Sequence, residues 1–233
     1  MKHCLVDSRI SEVELKELHK LGLEVLLCPK CDNLYDAISS HPDIQVFALN
    51  KNHLIVQNQI DGDLLEQFEA LGKKIHFSKN TLFNKYPYDI ILNCFILGEL
   101  FIHNLKYTDN KIIELLPDGI KKINVNQGYS KCSTAIVNDN AIITSDPSIA
   151  KALSLEKVDV LFLPPGDIIL EGMNYGFIGG TCGLLDENNI AFFGNLDKYM
   201  YGTEVKNFLK KHKVTWHCLS NCKLIDRGSL LMI

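Results

Sequence analysis

The chain has 233 residues, 46% hydrophobic and 22% charged, with a net charge of −4 and eight cysteines. That mixture supplies enough apolar surface for a globular core and lacks the basic face that nucleic acids and anionic membranes require. The N-terminus turns charged within seven residues and apolar runs such as Val160–Pro165 are short, so no leader and no membrane span is expected; the expectation is a soluble, cytoplasmic protein with reduced thiols.

In chain order, the pattern predicts a strand at His3–Val6, a helix over Ser11–Leu21 and a strand at Glu24–Leu27. Next comes a hairpin, Ile44–Leu49 and His53–Val56, around the turn Asn50-Lys51-Asn52, whose residues tolerate tight-turn conformations. Leu64, Leu65, Phe68 and Leu71 give Asp61–Leu71 a helical apolar stripe. Gly72 stops that helix before a strand at Lys74–Phe77. The same order recurs more loosely as strands near Asp89–Cys94 and Glu99–His103, a helix Thr108–Leu116 and a strand Ile120–Val125. It recurs clearly from Thr134 to Leu163. Two apolar runs flank Asn138-Asp139-Asn140, Ser145 or Asp146 caps a helix with Pro147 in its first turn, and Val158–Leu163 is a buried strand. A fourth copy has strands at Phe177–Leu185 and Ile190–Phe193, a helix Gly202–Lys211 and a strand Val214–Cys218.

Four strand–strand–helix–strand units thus lie between residues 44 and 218, and the N-terminal segment lacks one strand that Lys223–Ile233 can supply. The expected fold is α/β: a five-bladed α/β propeller with pseudo-fivefold symmetry and both termini in one blade, forming a single domain over 1–233. Closing the ring pairs edges that an open row would expose. A doubly wound sheet with irregular hairpins is the competing topology.

Five such units resemble the pentein fold of guanidine-modifying enzymes, which includes arginine and agmatine deiminases, dimethylarginine dimethylaminohydrolase and amidinotransferases. The resemblance runs through the layout of the whole chain. Its best residues are His41-Pro42-Asp43-Ile44-Gln45-Val46-Phe47 and the stretch from Thr144-Ser145-Asp146 to Leu153. Through HPDI, QGYSKC and GFIGG the chain is also similar to a divergent, uncharacterised bacterial branch of that fold. The resemblance implies a cysteine that attacks a guanidinium carbon, a histidine that moves protons and carboxylates that hold the cation. Carried over by position, the cysteine falls on Gly228 or Ser229 and the histidine on Gly176–Gly180, so only the acidic position, Asp43, is matched.

The residues themselves suggest other candidates. Cys182 lies among Gly179, Gly180 and Gly183, a setting that suits a nucleophile beside exposed amides or, as the alternative, an inert thiol in a crowded centre. His41 and Asp43, two apart in an expected strand, would share one face and act as base and orienter or cation holder. Gln127, Tyr129 and Cys132 in one linker, Asn174 in the next, Gly179, Gly180 and Ser229 are the candidate ligand contacts. Asp226-Arg227 is expected as an internal ion pair. Cys28, Cys31, Cys218 and Cys222 could form a four-thiolate zinc site, but the second spacing is loose, so reduced thiols and no metal are expected. With no P-loop, GxGxxG or HExxH, no cofactor is expected. Two functions stay open: a divergent amidinohydrolase or deiminase for a guanidine- or amine-bearing metabolite, and a non-catalytic binding or interaction module on the same scaffold. Partners would be a small molecule and, as an open assembly, a second copy in a homodimer.

Overall fold

The structure, a computed structural model, describes residues 2–233. Fifteen strands form five three-stranded sheets. The first blade holds β1 (Lys2–Asp7), α1 (Glu12–Lys20) and β2 (Leu23–Cys28). The second holds a one-turn helix α2 (Pro42–Gln45), β3 (Val46–Ala48), β4 (His53–Val56), α3 (Gly62–Ala70) and β5 (Lys74–Phe77). The third holds β6 (Phe95–Leu97), β7 (Leu100–His103), α4 (Asn110–Leu115) and β8 (Lys121–Asn124). The fourth holds β9 (Thr134–Asn138), β10 (Ala141–Thr144), α5 (Pro147–Leu155) and β11 (Asp159–Phe162). The fifth holds β12 (Cys182–Asp186), β13 (Asn189–Phe192), α6 (Gly202–Lys211) and β14 (Thr215–Cys218). The last strand, β15 (Leu231–Met232), returns to the first blade and pairs antiparallel with β1.

Local chemistry explains the repetition. Three hairpins open on a residue whose side chain caps its own turn: Asn50 Oδ1 accepts the amides of Asn52 and His53, Asn138 Oδ1 that of Asn140, and Asp186 Oδ1 that of Asn188. The third blade turns instead on Gly98, at φ 56°. Four helices carry side-chain N-caps: Ser11, in a capping box with Glu14, and Asp61, Asp109 and Asp146. In every blade the middle strand then runs parallel to the strand after the helix.

Ring closure follows from which side each middle strand buries. Successive side chains of a strand face opposite ways, and here each face meets a different core. Leu5 of β1 packs with Leu54 and Val56 of β4, whereas Ile55 packs with Phe101 of β7. Ile102 joins Ile142 of β10, Ile143 joins Phe192 of β13, and Phe193 joins Cys4 and Val6 of β1. Five cores alternate with five blades until the last meets the first. The middle strands are therefore two-sided and apolar, which is why they read as continuous runs.

Three expectations are corrected at the entrances to blades. Phe177–Thr181 is not strand, because Gly179–Thr181 forms a short helical turn and β12 begins only at Cys182. Asp89–Cys94 is irregular rather than a strand, because β6 begins only at Phe95. His41 and Asp43 are not on a strand: Pro42 starts α2, with His41 as its N-cap, and β3 begins at Val46. Among the described residues no helix is long and apolar enough to cross a membrane.

Candidate functional site

The linkers between blades converge on one end of the ring. There they enclose a cavity of about 260 Å³ lined by Tyr35, Ile38, His41, Tyr129, Cys132, Leu170, Met173, Asn174, Tyr175, Phe177 and Asp226. Its walls are aromatic. The Tyr129 ring lies 6.1 Å from that of Phe177, which in turn lies 6.4 Å from Tyr175. Tyr129 donates to Asp89 Oδ2 at 2.5 Å and shares a 3.0 Å hydrogen bond with Tyr35. Burial pushes the Asp89 carboxyl upward.

The floor is polar and fully buried. Asp43 receives the Ser229 hydroxyl at 2.6 Å, and the Cys132 thiol sits 3.0 Å from both its carboxylate oxygens. Asn93 fixes this arrangement: its Oδ1 accepts the amides of Lys131 and Cys132, and its Nδ2 donates to the Asp43 carbonyl. Burial, reinforced by Asp43, holds the Cys132 pKa well above the usual thiol range, so at rest the sulfur keeps its proton.

His41 is fully buried, and both of its ring nitrogens lack a hydrogen-bond partner among the described residues; Asp89 Oδ1 nearby is likewise unpaired. Nε2 lies 3.9 Å from Asp7 Oδ2 and Nδ1 lies 4.0 Å from Asp226 Oδ1. Asp7 already pairs with Arg9 at 2.5 Å. Asp226 has no cation at bonding distance; its oxygens accept the amides of Phe177 and Gly228, and burial raises its pKa against the pull of His41 and those amides. Unsatisfied buried polar atoms are rare and costly, and those of His41 lie beside Asp226 on the cavity wall.

Glycines let the chains come this close. A Cβ at Gly180 would strike the Asp226 carboxylate, and one at Gly228, at φ 64°, would strike the His41 side chain. Around Cys182, Gly180 thus leaves room for Asp226, while Gly179 abuts the Lys131 and Thr134 carbonyls and Gly183 the Leu230 carbonyl. Cys182 itself is separated from His41 and Asp43. Its thiol points at the Ile178 and Gly179 carbonyls and is pushed up to about 12 by burial. It lines a different, largely apolar cavity of about 160 Å³ with Lys131, Leu184, Leu230 and Met232. The cysteine that meets His41 and Asp43 is Cys132, with one ligand atom from each residue inside a 4.8 Å span.

The other candidates divide. Tyr129, Cys132 and Asn174 line the main cavity. Ser229 lies beneath it, held by Asp43 and by the Lys131 ammonium at 2.9 Å. Gly179 and Gly180 form its supporting backbone: Gly180 donates to the Cys132 carbonyl and its own carbonyl accepts the amides of Arg227 and Ser229. Gln127 faces the adjoining cavity and donates to Asp146. The expected Asp226–Arg227 pair is absent, because Arg227 turns outward to Glu14 at 3.2 Å while Asp226 turns inward. Cys28, Cys31, Cys218 and Cys222 do not assemble into a metal-holding group among the described residues. Asn93, Asp226, Asp7 and Tyr35 were missed as site residues. Asp226 carried the only usable signal, an acidic residue in the glycine-containing segment that closes the ring.

Comparison with known proteins bears on the fold. No curated protein matches the chain by sequence. Among solved structures, DDAH from Pseudomonas aeruginosa complexed with citrulline superposes with a TM-score of 0.57 at 11% identity, covering 100% of this chain and 99% of that one. The inosamine-phosphate amidinotransferase of Streptomyces griseus gives 0.60 at 12% identity over 94% and 77%. The C. jejuni agmatine deiminase with substrate bound gives 0.56 at 11% identity over 99% and 92%. These likenesses establish the pentein fold. With residues 5–231 matching its model, the chain belongs to the family of unknown function DUF6873, a divergent branch of that fold.

Proposed function

We propose that the cavity binds a small guanidine- or amine-bearing cation and that the chain is a divergent hydrolase acting on it through Cys132. The observation that carries this reading is the buried Asp226–His41 pair, open to an aromatic-walled cavity, with an unpartnered imidazole beside a carboxylate that only main-chain amides satisfy. A planar cation supplies donors to a carboxylate, stacks on tyrosine and phenylalanine faces and offsets negative charge that burial makes costly. It also favours the Cys132 thiolate, which the empty site disfavours. In the proposed reaction the Cys132 proton passes to His41 and the sulfur bonds to the electrophilic amidine carbon. His41 returns the proton to the leaving amine, and water then cleaves the carbon–sulfur bond. Cys182, the nucleophile expected from sequence, has no histidine among its hydrogen-bond partners.

The same hydrogen bonds favour a second reading, binding without turnover. A thiol that donates to Asp43 is a weak nucleophile unless the ligand itself shifts the proton. The deciding experiment screens metal-free protein by thermal shift against guanidines and amines, then follows amine or ammonia release from every binder. A ligand at about 100 times its Kd adds about 2.7 kcal/mol of stability. Binding with release that stops in Cys132→Ala supports the hydrolase. Binding without release supports the module, and no stabilisation by any cation removes both.

A further inference from the structure

The trio of His41, Asp43 and Cys132 has a second chemical reading that does not depend on a guanidine ligand. A thiolate, an imidazole and a carboxylate are the donors that zinc and cobalt dications select over calcium or magnesium. All three are buried, and one ligand atom from each falls within 4.8 Å of the others. Bonds of about 2.0–2.3 Å need the trio to contract slightly, and the His41 ring has no hydrogen bond that such a shift would break.

Charge and orientation point the same way. Cys132 as thiolate and Asp43 as carboxylate neutralise a dication, leaving no net charge in a dry setting. Whichever imidazole nitrogen takes the metal, the other faces a carboxylate, Asp7 Oδ2 at 3.9 Å or Asp226 Oδ1 at 4.0 Å. A carboxylate that receives the second N–H is how metal-bound histidines are usually oriented. His41 and Cys132 line the cavity, so a fourth coordination position would open into it.

We infer that His41, Asp43 and Cys132 form a site for a zinc-like dication, with a fourth position facing the cavity. Binding replaces the Cys132 S–H bond with a sulfur–metal bond and releases one proton to solvent. Because the metal covers the same thiol and adds positive charge, metal and organic cation exclude each other.

The test is titration of chelator-stripped full-length protein with cobalt or zinc alone, by calorimetry and by the thiolate-to-cobalt charge-transfer absorption. One equivalent is expected, with affinity falling about 100-fold or more in Cys132→Ser and His41→Gln. It should stay within threefold in Cys182→Ser, in Cys218→Ser/Cys222→Ser and in His53→Ala, which removes the surface His53–His76 pair. Should a Cys132 variant not fold, zinc protection of Cys132 from alkylation in the unaltered protein, read by peptide mass, replaces it. Absence of one-equivalent binding, binding that survives Cys132→Ser, loss in the surface variants instead, or unprotected Cys132 each overturns the inference. Guanidine binding is measured with chelator present, so the two readings fail separately.

Discussion

Two buried cysteines, Cys132 and Cys182, illustrate how little a residue's neighbours in sequence say about its chemistry. Cys182 has the glycine-rich setting associated with reactive sites, yet its thiol faces main-chain carbonyls and the alkyl groups of Leu184 and Leu230. Cys132 sits in an ordinary polar linker, yet it meets a carboxylate, lies beside an unpartnered histidine and opens to an aromatic cavity. The glycines around Cys182 serve close backbone approach: Gly180 leaves the space that the Asp226 carboxylate takes, and Gly179 and Gly183 abut the carbonyls of other segments. Function at such a centre follows from what the ring brings together.

The strongest way to break the contrast is to damage the scaffold alone. Phe192→Ala removes a fully buried ring from the core between the fourth and fifth blades and is expected to cost about 3–5 kcal/mol in denaturant unfolding; ligand affinity measured on the protein that stays folded should not change. Asp226→Ala does the reverse. It should weaken cation binding by about 3 kcal/mol, seen by calorimetry, while Cys182→Ala stays within twofold.

A third prediction contrasts His41 with His103, the buried histidine that is satisfied. His103 bonds Thr108 Oγ1 at 2.7 Å and donates to the Gly128 carbonyl at 3.1 Å, and burial lowers its pKa to about 4. The unfolded chain takes that proton near pH 6.5 whereas the folded chain resists it. Stability is therefore full above about pH 6.5 and falls as pH drops towards about 4, by about 3 kcal/mol. His103→Gln should flatten that part of the pH–stability profile. Last, Ser229→Ala disconnects Lys131 from Asp43 and should cost about 1–2 kcal/mol; thiol titration should show Cys132 altered and Cys182 unaltered.

The blades were legible because each is coded locally. Asn50, Asn138 and Asp186 cap their own turns, Asp61 and Asp146 cap their own helices, and two-sided strands read as apolar runs. The entrances to the blades were not: HPDI looked like strand, and Pro42 with the capping position of His41 made it a helical turn. Asp43 and His41 drew notice because they stand out chemically. Asn93 and Asp226 did not, because their distant partners, Cys132 and Phe177, meet them only in three dimensions. The Cys182 assignment erred for the same reason, since glycine content reports crowding without saying what crowds.

The strand that closes the ring has a temporal consequence. Asp43 and Ser229 are separated by 186 positions, and the first blade is completed only when Leu231 and Met232 pair with β1. Hairpins and helices rest on local contacts and can form early, whereas the cavity floor waits for Ser229 to reach Asp43. Helix content is thus expected to recover before the cavity does when the denatured chain refolds.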